Sequence, residues 1–139
     1  MIIRLQTADL AHVLDFNFKK FEEAGRCRLS SDSRKRSLAL YQSLYREGKC
    51  LHLAFQVDNR KVALAGALLS EETAFLSLQT VRHGLIIDEY VFPEYRNQGI
   101  APKLRQELLA WLAEKGARLS PVLPPNSARL ACTLGNLRL

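Results

Sequence analysis

Residues 84–116 read GLIIDEYVFPEYRNQGIAPKLRQELLAWLAEKG. An apolar run, broken only by Asp88 and Glu89, stops at Pro93. A short polar turn follows, Arg96-Asn97-Gln98-Gly99-Ile100-Ala101, and an amphipathic helix begins. Pro102 fixes where that helix starts, because proline has no N–H to contribute and fits only in a first helical turn. Ile100, Leu104, Leu108, Trp111 and Leu112 make one apolar face of a helix over about 101–115, and Gly116 ends it. Residues 119–123 then read as a short strand. Strand, loop, helix and strand in this order make a βαβ unit with parallel strands. The loop is also the mouth of a helix, where exposed N–H groups and the helix dipole attract an anion the size of a phosphate.

The rest of the chain supplies elements to pack around this unit. Residues 2–6 (IIRLQ) predict a short strand. Thr7 or Asp9 is placed to cap a helix over about 9–24, with Leu10, Val13, Leu14, Phe18 and Phe21 at helical spacing and Gly25 at its end. Residues 26–33 read as a loop. Asp32 or Ser33 caps a second helix to about Arg46, with Leu38, Tyr41, Leu44 and Tyr45 on one face. Residues 50–57 (CLHLAFQV) suit a buried strand, Asp58-Asn59-Arg60 is turn chemistry, and residues 61–69 (KVALAGALL) return as a hairpin. Ala63, Ala65, Gly66 and Ala67 allow close packing on that hairpin. Residues 70–83 are assigned in part to an extension of the meander, and residues 85–92 to the next strand. A last short helix is expected over about 126–133. The order β-α-α-β-β-β-α-β-α predicts one domain over residues 1–139. Its class is α/β (α+β), with a mixed sheet and helices on both faces.

A chain of 139 residues suits a single core. It has no run of about eighteen apolar residues, so no membrane span is expected. The N-terminus MIIRLQTADL lacks a basic region followed by an apolar stretch and a cleavage site, so a cytoplasmic location is expected. Cys27, Cys50 and Cys132 are an odd number at wide spacings, which points to reduced thiols rather than disulfides or zinc, and no metal site is expected. A net charge of +6 suits nucleic acid, an anionic surface or a phosphorylated cofactor. The densest basic cluster, Arg26, Arg28, Arg34, Lys35 and Arg36, has no interleaved aromatics. It reads as solvated or cofactor-facing, with no nucleic-acid partner.

The segment from Tyr90 through Ala101, YVFPEYRNQGIA, resembles the acetyl-CoA-binding motif of the GNAT superfamily of N-acetyltransferases. That motif runs Arg or Gln, two residues, Gly, one residue, then Gly or Ala; Arg96, Gly99 and Ala101 fill it here. The order of elements over residues 1 to about 134 resembles the same family. The resemblance implies a GNAT-like fold, with a central, mostly antiparallel sheet and one parallel βαβ pair. It also implies acetyl-CoA as the acetyl donor and a primary amine of a small molecule or peptide as acceptor. The diphosphate would meet the main chain of Arg96, Asn97, Gln98, Gly99, Ile100, Ala101 and Pro102. Gly99 would allow close approach, and Arg96 would contact the ligand or brace the loop. Tyr90 and Val91, with Glu89, would line the edge beside the pantetheine arm, and an N–H near Val91 would polarise the thioester carbonyl.

Amine acetylation needs a group to take the amine proton, directly or through water. By the resemblance, the acidic residue three before Val91, Asp88, faces the substrate. Glu89 is the second candidate, and alternation along a strand sends only one of the pair into the cleft. Either carboxylate also has a plain reading as a paired strand residue. The family's usual Tyr on the last helix is replaced by Ala131, with Cys132 beside it, and Gly135 is followed by Asn136. Asn126 matches an Asn that holds the cofactor arm, or is a helix cap. His12 and His52 read as structural, and His83 as a loop residue within reach of an amine. Tyr41 and Tyr45 are candidates for the acceptor side. The family closes its sheet with two further strands, so a homodimer is expected to cover the edge. The alternative is a CoA-binding regulatory or catalytically degenerate module.

Overall fold

The structure, a computed structural model, describes residues 1–25, 30–74 and 79–119. Five strands form one sheet in the order β1 (Ile2–Arg4), β2 (Cys50–Val57), β3 (Arg60–Ala74), β4 (Gln79–Val91) and β5 (Arg118–Leu119). The first four are antiparallel, and β5 pairs parallel to β4 at His83 and Gly84. Helices α1 (Leu10–Ala24) and α2 (Ser31–Arg46) cover one face, and α3 (Ile100–Glu114) covers the other. The mixed sheet with a βαβ pair and helices on both faces is the architecture that the sequence predicts.

Period-two alternation along the strands sorts the core into two layers. Leu51, Leu53, Ala63, Ala65, Ala67 and Leu69 meet the buried stripe of α3, Ile100, Leu104, Leu108, Trp111 and Leu112. Burying each large aliphatic side chain of that stripe contributes roughly 1.5–3 kcal/mol. On the other face, Cys50, Ala54, Leu64 and Ile87 pack against Leu10, Val13, Leu14 and Phe16 of α1 and Tyr41 of α2.

Several boundaries differ from the sequence reading, and the strand expected over 2–6 is shorter, Ile2–Arg4. A 3₁₀ turn over Thr7–Asp9 precedes α1, and the Asp9 carboxylate accepts the Gln6 N–H at 2.8 Å. The cap of α2 is Ser30, whose hydroxyl accepts the Ser33 N–H at 3.1 Å, rather than Asp32 or Ser33. The β2–β3 turn needs only Asp58 and Asn59, both at positive φ (50° and 63°), as a two-residue hairpin turn requires. Residues 70–74 and 79–83 pair in the β3–β4 ladder, as the extension of the meander assigned to part of 70–83 expects. The helix expected over 126–133, and most of the strand expected over 119–123, lie outside the described residues.

Candidate functional site

The loop between β4 and α3 starts with a 3₁₀ turn at Pro93–Tyr95, closed by Tyr95 N–H donating to the Phe92 carbonyl at 2.9 Å. Asn97 (φ 63°) and Gly99 (φ 79°) are left-handed, which turns the chain into α3. A Cβ added to Gly99 would meet nothing within 4 Å. The helix start has no side-chain cap; Gly99 uses its carbonyl to accept Lys103 N–H at 3.4 Å, and Pro102 has no N–H to donate. The result is an exposed, uncapped helix mouth with open space before it. That is where an anionic group fits, and the residues present are compatible with a diphosphate.

Arg96 holds this loop from behind. Its guanidinium makes a bidentate pair with Glu23 of α1, with both bonds at 2.8 Å, and its Nε donates to the Val91 carbonyl at 2.8 Å. The Tyr90 hydroxyl donates to the same Glu23 carboxylate at 2.8 Å, and Arg96 lies over the Tyr90 ring at 5.4 Å. The hydrogen bonds from Arg96 and Tyr90 depress the Glu23 pKa to about 2. Of the two roles open to Arg96, the structure shows bracing. Gln98 donates to the Glu94 carbonyl at 3.3 Å. Glu23 was not among the residues that the sequence singled out, since a Glu on the polar side of a helix carries no signal for a partner 73 positions away.

Among the described residues the end of β4 pairs with β3 alone, and on its other side the Val91 carbonyl accepts Arg96 Nε–H. Phe92 N–H donates to the Val62 carbonyl at 2.9 Å. By alternation Tyr90 also faces β3, and the main-chain groups of Val91 point the other way. Among the described residues β5 pairs no further along β4 than Gly84. A cleft of about 400 Å³ opens beside this strand end, lined by Lys19, Glu22 and Glu23 of α1, Arg60, Tyr90, Phe92, Pro93 and Glu94.

Asp88 and Glu89 sit at a bulge in β4. Leu64 pairs with Tyr90 and Gly66 with Ile87, so the two carboxylates together oppose Ala65. Asp88 takes the left-handed conformation there (φ 55°), which Asp tolerates better than most residues. The bulge turns Asp88 towards α1 and α2, on the same side as Ile87, while Glu89 turns towards α3 and pairs with Arg105. The expectation that the pair divides between faces describes this arrangement.

The Asp88 carboxylate is buried, and one of its oxygens accepts both the Tyr41 hydroxyl at 2.6 Å and His52 Nε2–H at 2.8 Å. The Tyr45 hydroxyl lies 2.8 Å from His52 Nδ1 and accepts the His52 main-chain N–H at 3.0 Å. With the imidazole proton on Nε2, Nδ1 accepts the Tyr45 O–H, and each group in the chain has a partner. Asn17 Nδ2 donates to the Tyr41 oxygen at 3.5 Å. Burial works to raise the Asp88 pKa. The His52 imidazole, the Tyr41 hydroxyl and the Lys20 charge outweigh it and hold the carboxyl below its ordinary range. The Tyr41 hydroxyl is pushed well up, first by burial and then by Asp88, and burial likewise pushes the Cys50 thiol up. Burial lowers the Lys20 pKa, against the opposing charges of Asp88 and Glu89.

Among the described residues there is no group of three or more His, Cys, Asp or Glu side chains placed to hold a metal ion. None of the described helices is long and apolar enough to cross a membrane. Asn126 and Cys132 lie outside the described residues.

The chain belongs to the acetyltransferase (GNAT) family, whose model matches residues 16–133. Solved structures share its fold. A predicted acetyltransferase from Clostridium acetobutylicum, crystallised with acetyl-CoA, superposes with a TM-score of 0.77 at 16% identity, over 88% of this chain and 79% of that one. A GCN5-related N-acetyltransferase from Ralstonia eutropha gives 0.74 at 26% identity, over 94% and 90%. An aminoglycoside 6′-N-acetyltransferase from Acinetobacter haemolyticus gives 0.64 at 22% identity, over 94% and 85%. No curated protein matches the sequence.

Proposed function

We propose that this protein is an acetyl-CoA-dependent N-acetyltransferase acting on a primary amine of a small molecule or peptide. The observation that carries the proposal is the uncapped mouth of α3. Asn97 and Gly99 are left-handed, the space before Gly99 is open, and Arg96 is committed to bracing. The main chain of residues 96–101 would bind the diphosphate, leaving Pro102 in the first helical turn without a donor. Tyr90 and Val91 would border the pantetheine arm, with the Val91 N–H on the edge that faces away from β3. Acetyl-CoA would supply the activated acyl group. The acetyl-CoA-bound relative from Clostridium acetobutylicum supports the donor, and the aminoglycoside acetyltransferase supports an amine acceptor. Asn126 would join the donor site.

Of the two carboxylates, Glu89, although paired with Arg105, is the one an incoming amine would approach. It is about a quarter exposed (27%), whereas Asp88 is closed off by Tyr41 and His52. Glu89 would take the amine proton directly or through water, and Asp88 would shape the strand that carries Glu89. Glu22 and Glu94, in the cleft beside the end of β4, suit a cationic amine in its resting state. A cytoplasmic setting and a two-chain assembly belong to the same reading; sedimentation velocity checks the assembly.

The engagement of Asp88 in a closed network favours one second reading, a CoA-binding module without turnover. A panel of amines with acetyl-CoA and thiol detection separates the two. The enzyme reading requires CoA to raise Tm and at least one amine to release free thiol. The module reading requires the first result without the second.

A further inference from the structure

His52 lies on β2, yet it bonds to a residue on β4, two strands away. The route runs over Gly66. In register His52 faces Gly66, and Gly66 faces Ile87, the residue before the bulge. A Cβ on Gly66 would fall 2.6 Å from both Cδ2 and Nε2 of the imidazole, so the ring occupies the space that any side chain on β3 would fill. From the helix side, Tyr41 and Tyr45, one turn apart on α2, close over the ring at centroid distances of 5.3 and 5.9 Å. Every atom that could move the ring is therefore fixed by a neighbour, and its Nε2–H is aimed at Asp88. Asp88 in turn is a non-glycine residue in the left-handed region, a conformation that persists only where surrounding contacts over-determine it.

We propose that His52 is a positioning residue that acts through Asp88 to hold the β4 bulge in its left-handed conformation. It thereby sets the orientation of Glu89 and of the Val91 main chain. The second half of this inference rests on the donor-site reading given above; the first half does not. Without the Nε2–H bond, Asp88 keeps the Tyr41 hydroxyl and the charge of Lys20, and the strained residue has a path back to ordinary strand geometry. Relaxation would remove the extra residue from the ladder and turn Glu89 and Val91 away from their present faces, since a one-residue slip reverses every side chain beyond it.

The test uses the full chain with residue-resolved amide hydrogen exchange and calorimetric titration with CoA. His52→Ala is expected to speed exchange at Tyr90 and Phe92, which face β3 beyond the bulge, about tenfold more than at amides along β1 and β2. It is also expected to weaken CoA binding by about tenfold. His52→Gln offers an N–H near the position of Nε2 and should recover most of both. Tyr45→Phe removes the hydroxyl that orients the ring while keeping its stacking, and should loosen the same two amides to a smaller degree. Should His52→Ala fail to fold, the two milder variants carry the comparison. Uniform loosening across the sheet, or unchanged rates at Tyr90 and Phe92, overturns the proposal. Failure of the wild-type protein to bind CoA removes the donor reading instead, and the exchange rates still decide whether His52 holds the bulge.

Discussion

Replacing Gly66 with Ala puts a methyl group where the His52 ring lies. The new Cβ would fall 2.6 Å from two ring atoms and 3.2 Å from Cγ1 of Ile87, against roughly 3.5–4.0 Å for relaxed carbon contacts. The ring is wholly buried and tied by Tyr45 on one nitrogen and Asp88 on the other, so it cannot slide without breaking a bond. Overpacking a core site costs about 1–3 kcal/mol. Losing a hydrogen bond to a charged carboxylate costs about 1.5–3 kcal/mol more. Restricting the unfolded chain returns about 0.4–1 kcal/mol. The net loss is about 2–5 kcal/mol, a large part of the roughly 5–15 kcal/mol that holds a domain folded. For a chain of this size Tm should fall by about 6–20 °C. Thermal and urea unfolding followed by far-UV circular dichroism would read it, with a lower midpoint at unchanged slope. Gly84→Ala is the control. The three atoms nearest its Cβ all belong to the apolar Leu112 side chain, the first at 2.7 Å, so the strain falls on packing rather than on the His52–Asp88 bond. A Gly66→Ala protein whose Tm lies within about 2 °C of wild type, or one less affected than Gly84→Ala, would refute the reasoning.

Two further outcomes follow from the same geometry. The folded-state pKa values of Asp88 and Glu23 are depressed, so their contributions to stability are present above the unfolded carboxylate pKa of roughly 4 and are lost as pH falls through the folded values, about 2 for Glu23. Asp88→Asn should therefore be less stable at pH 7 by about 1–3 kcal/mol and lose less stability on acidification than wild type, as denaturant titrations at pH 7 and pH 3 would show. Glu89→Gln should lower kcat by about 10²–10⁴-fold while leaving CoA affinity within a factor of about three, because general-base assistance acts on the chemical step alone. Unchanged kcat would remove Glu89 from the reaction.

The βαβ unit was legible because local chemistry fixes it. Pro102 sets the start of α3, and the stripe from Ile100 to Leu112 is buried as its spacing predicts. The motif loop was legible for the same reason, since Gly99 is the residue a left-handed helix entry favours. What escaped the sequence depends on register. Counting outward from the Asp58-Asn59 turn pairs His52 with Ala65; a shift between Phe55 and Gln56 moves it to Gly66. The second irregularity, between Leu64 and Gly66, turns Asp88 into the core beside Ile87. Neither bulge leaves a mark in composition or periodicity. His52 therefore read as a structural histidine, and Asp88 as either facing the substrate or a paired strand residue, without the link between the two. Tyr41 and Tyr45 showed as a helix face but not as the clamp on that imidazole. The length of the β3–β4 ladder was hidden because residues 70–73 are polar in sequence and lie on a ribbon that β2 does not reach.

Titrating labelled protein with CoA and following each amide by nuclear magnetic resonance tests the central claim most directly. The amides of Asn97, Gln98, Gly99, Ile100 and Ala101 should shift most, and Gly99→Glu, which sets a carboxylate against the diphosphate, should abolish the shifts while leaving the fold intact. Shifts that cluster elsewhere, or full CoA affinity in Gly99→Glu, would contradict it.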